Sequence, residues 1–389
     1  MTRPCIVQFG TSRFLQAHVD LFASEAMAEG QDVPPIIVVQ TTGDPARAGR
    51  IGAFGRPEGY PVLIRGLGEG GARIDRTVTV TSIARGLSAA RDWADLETLF
   101  VERACYVACN TGDSGYQVDP ADRAPTVLDG GNPPRSFPAM LLALLHARWR
   151  AGGAPVTLFP CELVLRNGDV LRRTVVDLAR AVGGEDAFLR WLEGACHWVN
   201  TLVDRIVSEP IEPVGAVTEP YALWAVEDQP GLVMPFTHAA VVMTNDLDRY
   251  ERLKLHILNL GHSWLAQRWI DAGRSAGATV RQMVADPATR AALERLYGQE
   301  VVPGFAAHRL GEAASAYVAQ TMPRFDNPFL DHRLSDIADN HAAKGAKRVG
   351  AFLEWVAGAD EPPAMPELSS FAARTRGAAG VEPDGMQIR

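Results

Sequence analysis

The run Cys5–Phe22, "CIVQFGTSRFLQAHVDLF", decides how the rest of the chain is read. Five residues, Cys5 to Phe9, form a short apolar run, Gly10 follows, and an apolar-periodic segment begins at Phe14. Strand, tight turn and helix in that order open a dinucleotide-binding βαβ unit. The glycine pattern departs from the common fingerprint, because Ser12 stands where a second glycine is expected and Arg13 comes next. Two readings stand on this turn alone. One is a strand, turn and capped helix with no ligand. In the other, Gly10 supplies the turn, Thr11 and the small Ser12 let a phosphate approach the backbone, Arg13 adds countercharge and Phe14 completes the site.

Outward from that stretch, short apolar runs alternate with helical ones. "PPIIVVQTT" reads as a second strand, and "YPVLIRGL" and "RTVTVTSIA" as a further pair. "ACYVACNT" and "APVTLFPCEL" are buried strands separated by the helix "SFPAMLLALLHARWRAG". The rhythm is that of a parallel sheet covered by helices, an α/β Rossmann-type N-terminal domain. From Ser208 a Pro-rich connector or irregular sheet edge follows, and beyond Asp246 the pattern is helical. The expectation is a dinucleotide-binding domain over 1–243 and a mostly α-helical substrate domain over 244–389, ending in a loose tail from Met365.

Composition narrows the function. The 389 residues exceed one ordinary core, 47% are apolar and 22% charged, and the net charge is −8. No dense Lys/Arg block points to nucleic acid, and no apolar run has the length of a membrane span. The N-terminus lacks signal-peptide features. Five cysteines without CxxC or Cys/His metal spacing fit reduced thiols in a cytoplasmic protein. Ligands of an open α/β sheet lie at strand C-termini, which nominates Gln40 at the second strand and Asn110-Thr111 at "ACYVACNT". Asn110 reads equally as a turn former before Gly112 or as a ribose contact. Gln40 replaces the acid that would select an unphosphorylated ribose; Asp44, Arg47 and Arg50 follow, so these residues leave NAD and NADP open.

"YERLKLHILNLGHSWLAQRW", Tyr250 to Trp269, carries the chemistry. Lys254, Asn259 and His262 interrupt an apolar helix and, at about 100° per residue, fall within an arc of about 140°. His256 points elsewhere. An amine, an amide and an imidazole on one face suit carbonyl–alcohol redox chemistry, which needs a proton acceptor and donors for a developing oxyanion. Taken singly, each has a plain alternative: a solvated lysine, a helix-interior amide, a core histidine.

The spacing K-x4-N-x2-H in "KLHILNLGH" resembles the signature of the polyol-specific long-chain dehydrogenases, the mannitol dehydrogenase family. "IVQFGTSRFLQAHVD", "TLVDRIV" and "PRFDNPFLDHRLSDIA" resemble further family segments in the same order. The resemblance implies Lys254 as general acid/base, Asn259 as oxyanion donor, His262 as substrate-orienting residue, Arg324 and His332 as substrate contacts, and no metal. It favours NAD, with NADP tolerated, in a monomer or homodimer. Where the family's polyol branch has a Cys-Asp-Asn-Leu-Pro-type motif, this chain has "PCELVLRNGD" with Leu163 in place of the asparagine, wording closer to the tagaturonate reductase branch. Asn167 is no obvious replacement, and the chain is shorter than family members usually are. Expected substrates are therefore a sugar acid of the altronate/tagaturonate pair, with a neutral polyol of the mannitol or arabitol kind as alternative. A non-catalytic dinucleotide- or sugar-binding regulator is a second alternative.

Overall fold

The computed structural model describes residues 3–43, 49–68, 71–112 and 115–379. They fall into two compact units, one within residues 1–64 and 75–247, the other within residues 65–74 and 248–389.

The first unit is built on a parallel sheet. Its strands are β1 (Cys5–Phe9), β2 (Ile36–Gln40), β5 (Ile83–Ser88), β6 (Ala104–Cys109), β7 (Thr157–Pro160) and β8 (His197–Trp198), in the order β5-β2-β1-β6-β7-β8. All five residues of β1 and of β2 are buried, which is why both read as nearly unbroken apolar runs rather than as alternation. Val7 and Phe9 of β1 share a core with Leu96, Leu99 and Phe100 of helix Trp93–Arg103 and with Leu141, Leu142 and Leu145 of helix Phe137–Arg150. Chain order reverses between β1 and β6, the switch point at which open α/β sheets bind ligands. Close to this sheet Asp20 is fully buried. Its carboxylate accepts from Tyr60 Oη at 2.7 Å, and burial pushes its pKa up to about 7.

The expected helix from Phe14 is two helices, α1 (Arg13–Gln16) and α2 (Val19–Ala28). His18 leaves helical geometry (φ −127°, ψ −93°), and Arg205 Nη1 donates to Ala17 O at 2.7 Å. A guanidinium that takes this carbonyl from outside removes the reason for the helix to continue. Arg205 belongs to the "TLVDRIV" segment, which thereby acquires a structural task. The "RTVTVTSIA" stretch also divides, its first part in β4 (Arg73–Val80) and its last in β5. A four-stranded sheet joins β10 (Val207–Pro210), β11 (Ala216–Thr218), β3 (Tyr60–Leu67) and β4 in that order, and Leu223–Glu227 pairs with Thr201–Asp204 and Val241–Thr244. The Pro-rich stretch thus contributes three short strands joined by turns.

The second unit is helical and includes residues 65–74, which a division at 243 assigns to the first. Asn327 Nδ2 donates to Arg65 O at 3.1 Å, and Arg65 and Arg73 lie over the Phe329 ring at 5.6 and 4.6 Å. The expected loose tail holds a helix, Pro366–Ala379. Glu300 caps it, accepting from Glu367 N and Leu368 N at 2.8 and 2.9 Å, and Leu368 and Phe371 are fully buried. Residues 380–389 lie outside the described residues.

Candidate active site

In the first unit a cavity of about 470 Å³ opens at the sheet's switch point, within the size range of small-molecule sites. Gly10 stands at its floor. Its N–H donates to Val39 O at 2.9 Å, and Asn110 N donates to Phe9 O at 3.0 Å, so the glycine bridges the ends of β2, β1 and β6. It adopts φ +110°, and a β-carbon there would meet Asn110 O at 2.5 Å. Only glycine satisfies both constraints. This cradle, which a side chain would fill, fits the close backbone approach a dinucleotide needs.

Thr11, Ser12 and Arg13 line the cavity beside Gly10. Ser12 Oγ accepts from Leu15 N at 3.3 Å as the cap of α1, which leaves its hydroxyl proton to donate elsewhere. Gln16 ties two walls together: Nε2 donates to Thr11 O at 3.2 Å and Oε1 accepts from Gly215 N at 2.8 Å. Phe14 is not among the lining residues. Its ring stacks on His18 at 4.8 Å, because the break after α1 turns His18 toward it. Gln40 lines the cavity with its amide nitrogen bonded to Thr42 O at 2.7 Å. Arg50 also lines it, paired with Glu212 at 2.7 Å. Asp44 and Arg47 lie outside the described residues.

Asn110 and Thr111 form the opposite lip. Asn110 Nδ2 donates to Cys161 O at 2.7 Å. Thr111 donates through N and Oγ1 to Glu162 Oε1 at 3.0 and 3.1 Å. Glu162 is buried, and its other oxygen accepts from Tyr116 Oη at 2.8 Å and from the Cys109 thiol. This carboxylate fixes the lip, although nothing in "PCELVL" separates it by sequence from a surface acid. Leu163 is 68% exposed and offers no donor. Asn167 spends its Nδ2 on the carbonyls of Pro160 and Thr201, both at 3.0 Å, so it does not replace the missing asparagine.

In the second unit the helical run that reaches Asp271 is interrupted by a π turn, Lys254–Leu258. Asn259 N–H donates to the carbonyls of both Lys254 and Leu255. On a regular α-helix Lys254 and Asn259 would stand about 140° apart; the i→i+5 repeat of a π turn sets them one turn apart on nearly one line. His262 follows Asn259 by three residues in regular helix. The π turn therefore gathers the trio into a narrower arc than a regular α-helix would. His262 is buried between Phe325 (ring centroids 4.9 Å) and His332 (4.6 Å). Burial, then the charges of His332, Arg348 and Arg324, holds its pKa well below the usual value, so the imidazole is neutral at pH 7. His256 lies apart from the trio, bonded to Arg348 O at 2.9 Å and packed on Phe352, with burial pulling its pKa down to about 4.

Two further π turns, Tyr297–Val301 and Ala346–Gly350, support the first. Tyr297 Oη donates to Ile257 O at 3.0 Å, satisfying a carbonyl in the first π turn. Gly261 makes room, because a β-carbon there would stand 2.0 Å from that hydroxyl. Arg348 Nη1 donates to Asn259 O at 3.2 Å and to Ser263 Oγ at 3.0 Å. Arg324 is buried in the last turn of helix Gly311–Phe325, near enough to His262 to depress its pKa, and His332 is half-buried against His262. Among the described residues no group of three or more His, Cys, Asp or Glu could hold a metal, and no helix is long and apolar enough to cross a membrane.

Comparison with known proteins matches this architecture. An altronate oxidoreductase of Halalkalibacterium halodurans is 29% identical over 98% of this chain and 76% of its own length. One from Bacillus subtilis is 29% identical over 87% of this chain and 72% of its own. Among solved structures, a substrate-free D-sorbitol dehydrogenase superposes with TM-score 0.75 at 21% identity, covering 90% of this chain and 76% of that one. The Pseudomonas fluorescens mannitol 2-dehydrogenase ternary complex with NAD and D-mannitol gives 0.68 at 20% identity, covering 96% and 84%. Residues 4–234 match the mannitol dehydrogenase Rossmann domain and residues 246–365 the mannitol dehydrogenase C-terminal domain, so the chain belongs to the mannitol dehydrogenase family.

Proposed function

We propose that the protein is an NAD-dependent dehydrogenase that interconverts a secondary alcohol and a ketone on a sugar acid, the altronate/tagaturonate pair, without a metal. The observation that carries the reading is the π turn that stacks Lys254 and Asn259, with a neutral His262 on the next turn. The likeness to altronate oxidoreductases over nearly the whole chain supports the substrate class.

In the oxidative direction Lys254 Nζ takes the proton of the reacting hydroxyl. Asn259 donates to the same oxygen as negative charge builds there. Neutral His262 orients an adjacent hydroxyl, with Arg324 and His332 as further substrate contacts. Bound NAD supplies the hydride acceptor. The Gly10-Thr11-Ser12-Arg13 turn would hold the pyrophosphate and Gln40 the adenosine ribose. Asn110 would meet the nicotinamide ribose through its amide oxygen, whose nitrogen is already engaged, and Thr111 would flank it. Arg50 is neutralised by Glu212, which favours NAD over a 2′-phosphate. The five cysteines are unpaired thiols, in keeping with a reducing cytoplasmic setting.

Steady-state kinetics on altronate, mannonate, mannitol and arabitol with NAD and NADP test this. Highest kcat/KM is expected for altronate with NAD. Equal or better efficiency on the neutral polyols overturns the sugar-acid reading and promotes the polyol alternative.

A further inference from the structure

The trio's surroundings in the second unit are one-sidedly basic. His262, His332, His341, Lys344 and Arg348 lie close enough that the charge of Arg348 depresses the pKa of the other four. Acids stand at the margin: Asp336 acts on His332, Asp339 on Lys344 and Asp271 on His341. None pairs with Arg348, for among the described residues no carboxylate lies within 4.0 Å of its guanidinium. Lys344 Nζ is turned to a backbone carbonyl, Ile337 O, at 3.1 Å.

Arg348 is half-buried and anchored on one side only. Nη1 spends its protons on Asn259 O and Ser263 Oγ. Nε and Nη2 donate to nothing among the described residues, which leaves one two-donor edge of the fork. A partly desolvated cation without a counter-ion is costly, and an anionic ligand at its open edge would offset that cost. A planar two-donor edge is matched to a carboxylate, and its tie to Asn259 O fixes the edge to the helix that bears the trio. Arg324, the arginine named from sequence, lies deeper, with 5% of its surface exposed.

We propose that Arg348 binds the substrate's carboxylate through its Nε–Nη2 edge and thereby sets the preference for a sugar acid over a neutral polyol. The inference rests on the sugar-acid reading above and names the group that enforces it.

The test is KM and kcat for altronate, and the altronate-to-mannitol ratio of kcat/KM, in wild type, Arg348→Met and Arg348→Lys. Hydrogen bonds to a charged group typically contribute about 1.5–3 kcal/mol, so Arg348→Met is expected to raise KM for altronate about tenfold to hundredfold. It should lower kcat much less and reduce the selectivity ratio accordingly. Arg348→Lys keeps the charge without the fork and should fall between; it also serves if the methionine variant does not fold. A fall in kcat shared by both substrates, with KM for altronate unmoved, would show that Arg348 only positions Asn259. An unchanged ratio would equally overturn the proposal while leaving the sugar-acid reading intact. A wild-type enzyme that prefers mannitol overturns both.

Discussion

The two units meet their chemical tasks by opposite means. In the first, the backbone carries the burden: Gly10 runs between β1 and β6 where no β-carbon fits, and Gln16 and Glu162 hold the flanking turns. In the second, side chains carry it, and their alignment depends on a defect, the π turn at Lys254–Leu258, propped by Tyr297 and Arg348 from two other π turns. The contrast separates two kinds of precision. A cradle of glycine and strand ends tolerates no added atom. A bulged helix leans on partners that satisfy its displaced carbonyls.

Lys254→Ala gives the sharpest break between the units. Turnover should fall about a hundredfold to ten-thousandfold, the usual contribution of a positioned proton-transfer group, while NAD binding, read by fluorescence titration, stays nearly intact. Methylamine should restore part of the rate. Normal turnover would remove the mechanism.

Gly10→Ala probes the other unit. It forces a side chain into φ +110° and against Asn110 O, strain of about 1–3 kcal/mol. The expected signature is a raised KM for NAD with a smaller change in KM for altronate. Equal changes in both would contradict the division of labour.

Tyr297→Phe tests whether the π turn depends on its prop. It leaves Ile257 O without its donor, at a cost of about 1–3 kcal/mol, read as a lower denaturation midpoint. A fall in kcat should accompany it. Lost stability at unchanged kcat would mean that the π turn aligns Lys254 and Asn259 without Tyr297.

The smallest effect on turnover belongs to Asp20, which acts on stability instead. Its folded-state pKa is raised to about 7, so between about pH 4 and 7 the folded protein keeps a proton that the unfolded chain has released. This group's contribution to stability therefore declines as pH rises through that window and is constant above it. In denaturant titrations across pH 4–8, the stability of wild type relative to Asp20→Asn should decline through that window and level off above it.

Much of the first unit was legible because its signals are local. Continuous apolar runs mark strands buried on both faces, and Gly10 marks the turn. The break at His18 was not, since its cause, Arg205, lies 188 residues along the chain from Ala17. In the second unit Lys254, Asn259 and His262 stood out as polar interruptions, but their alignment did not. Counting 3.6 residues per turn cannot reveal an inserted residue, and here the insertion brings the trio together. The helix at Pro366–Ala379 was masked by a Gly- and Arg-rich surround, although Leu368 and Phe371 are spaced for one buried face. Arg348 hid within "AKGAKRVG", which reads as a solvated basic stretch until Asn259 O and Ser263 are seen to hold it.

The close approach of Gly261 to Tyr297 imposes an order on mutational history. With the tyrosine present, Gly261→Ala drives a methyl into its hydroxyl; after Tyr297→Phe that obstacle is gone, and the rings of Phe325 at 3.1 Å are the next neighbours. The same alanine is thus prohibitive in one background and milder in the other, a sign of strong coupling between contacting positions. While the tyrosine stands, position 261 is held to glycine; once its hydroxyl is gone, an alanine there has only the Phe325 ring to displace.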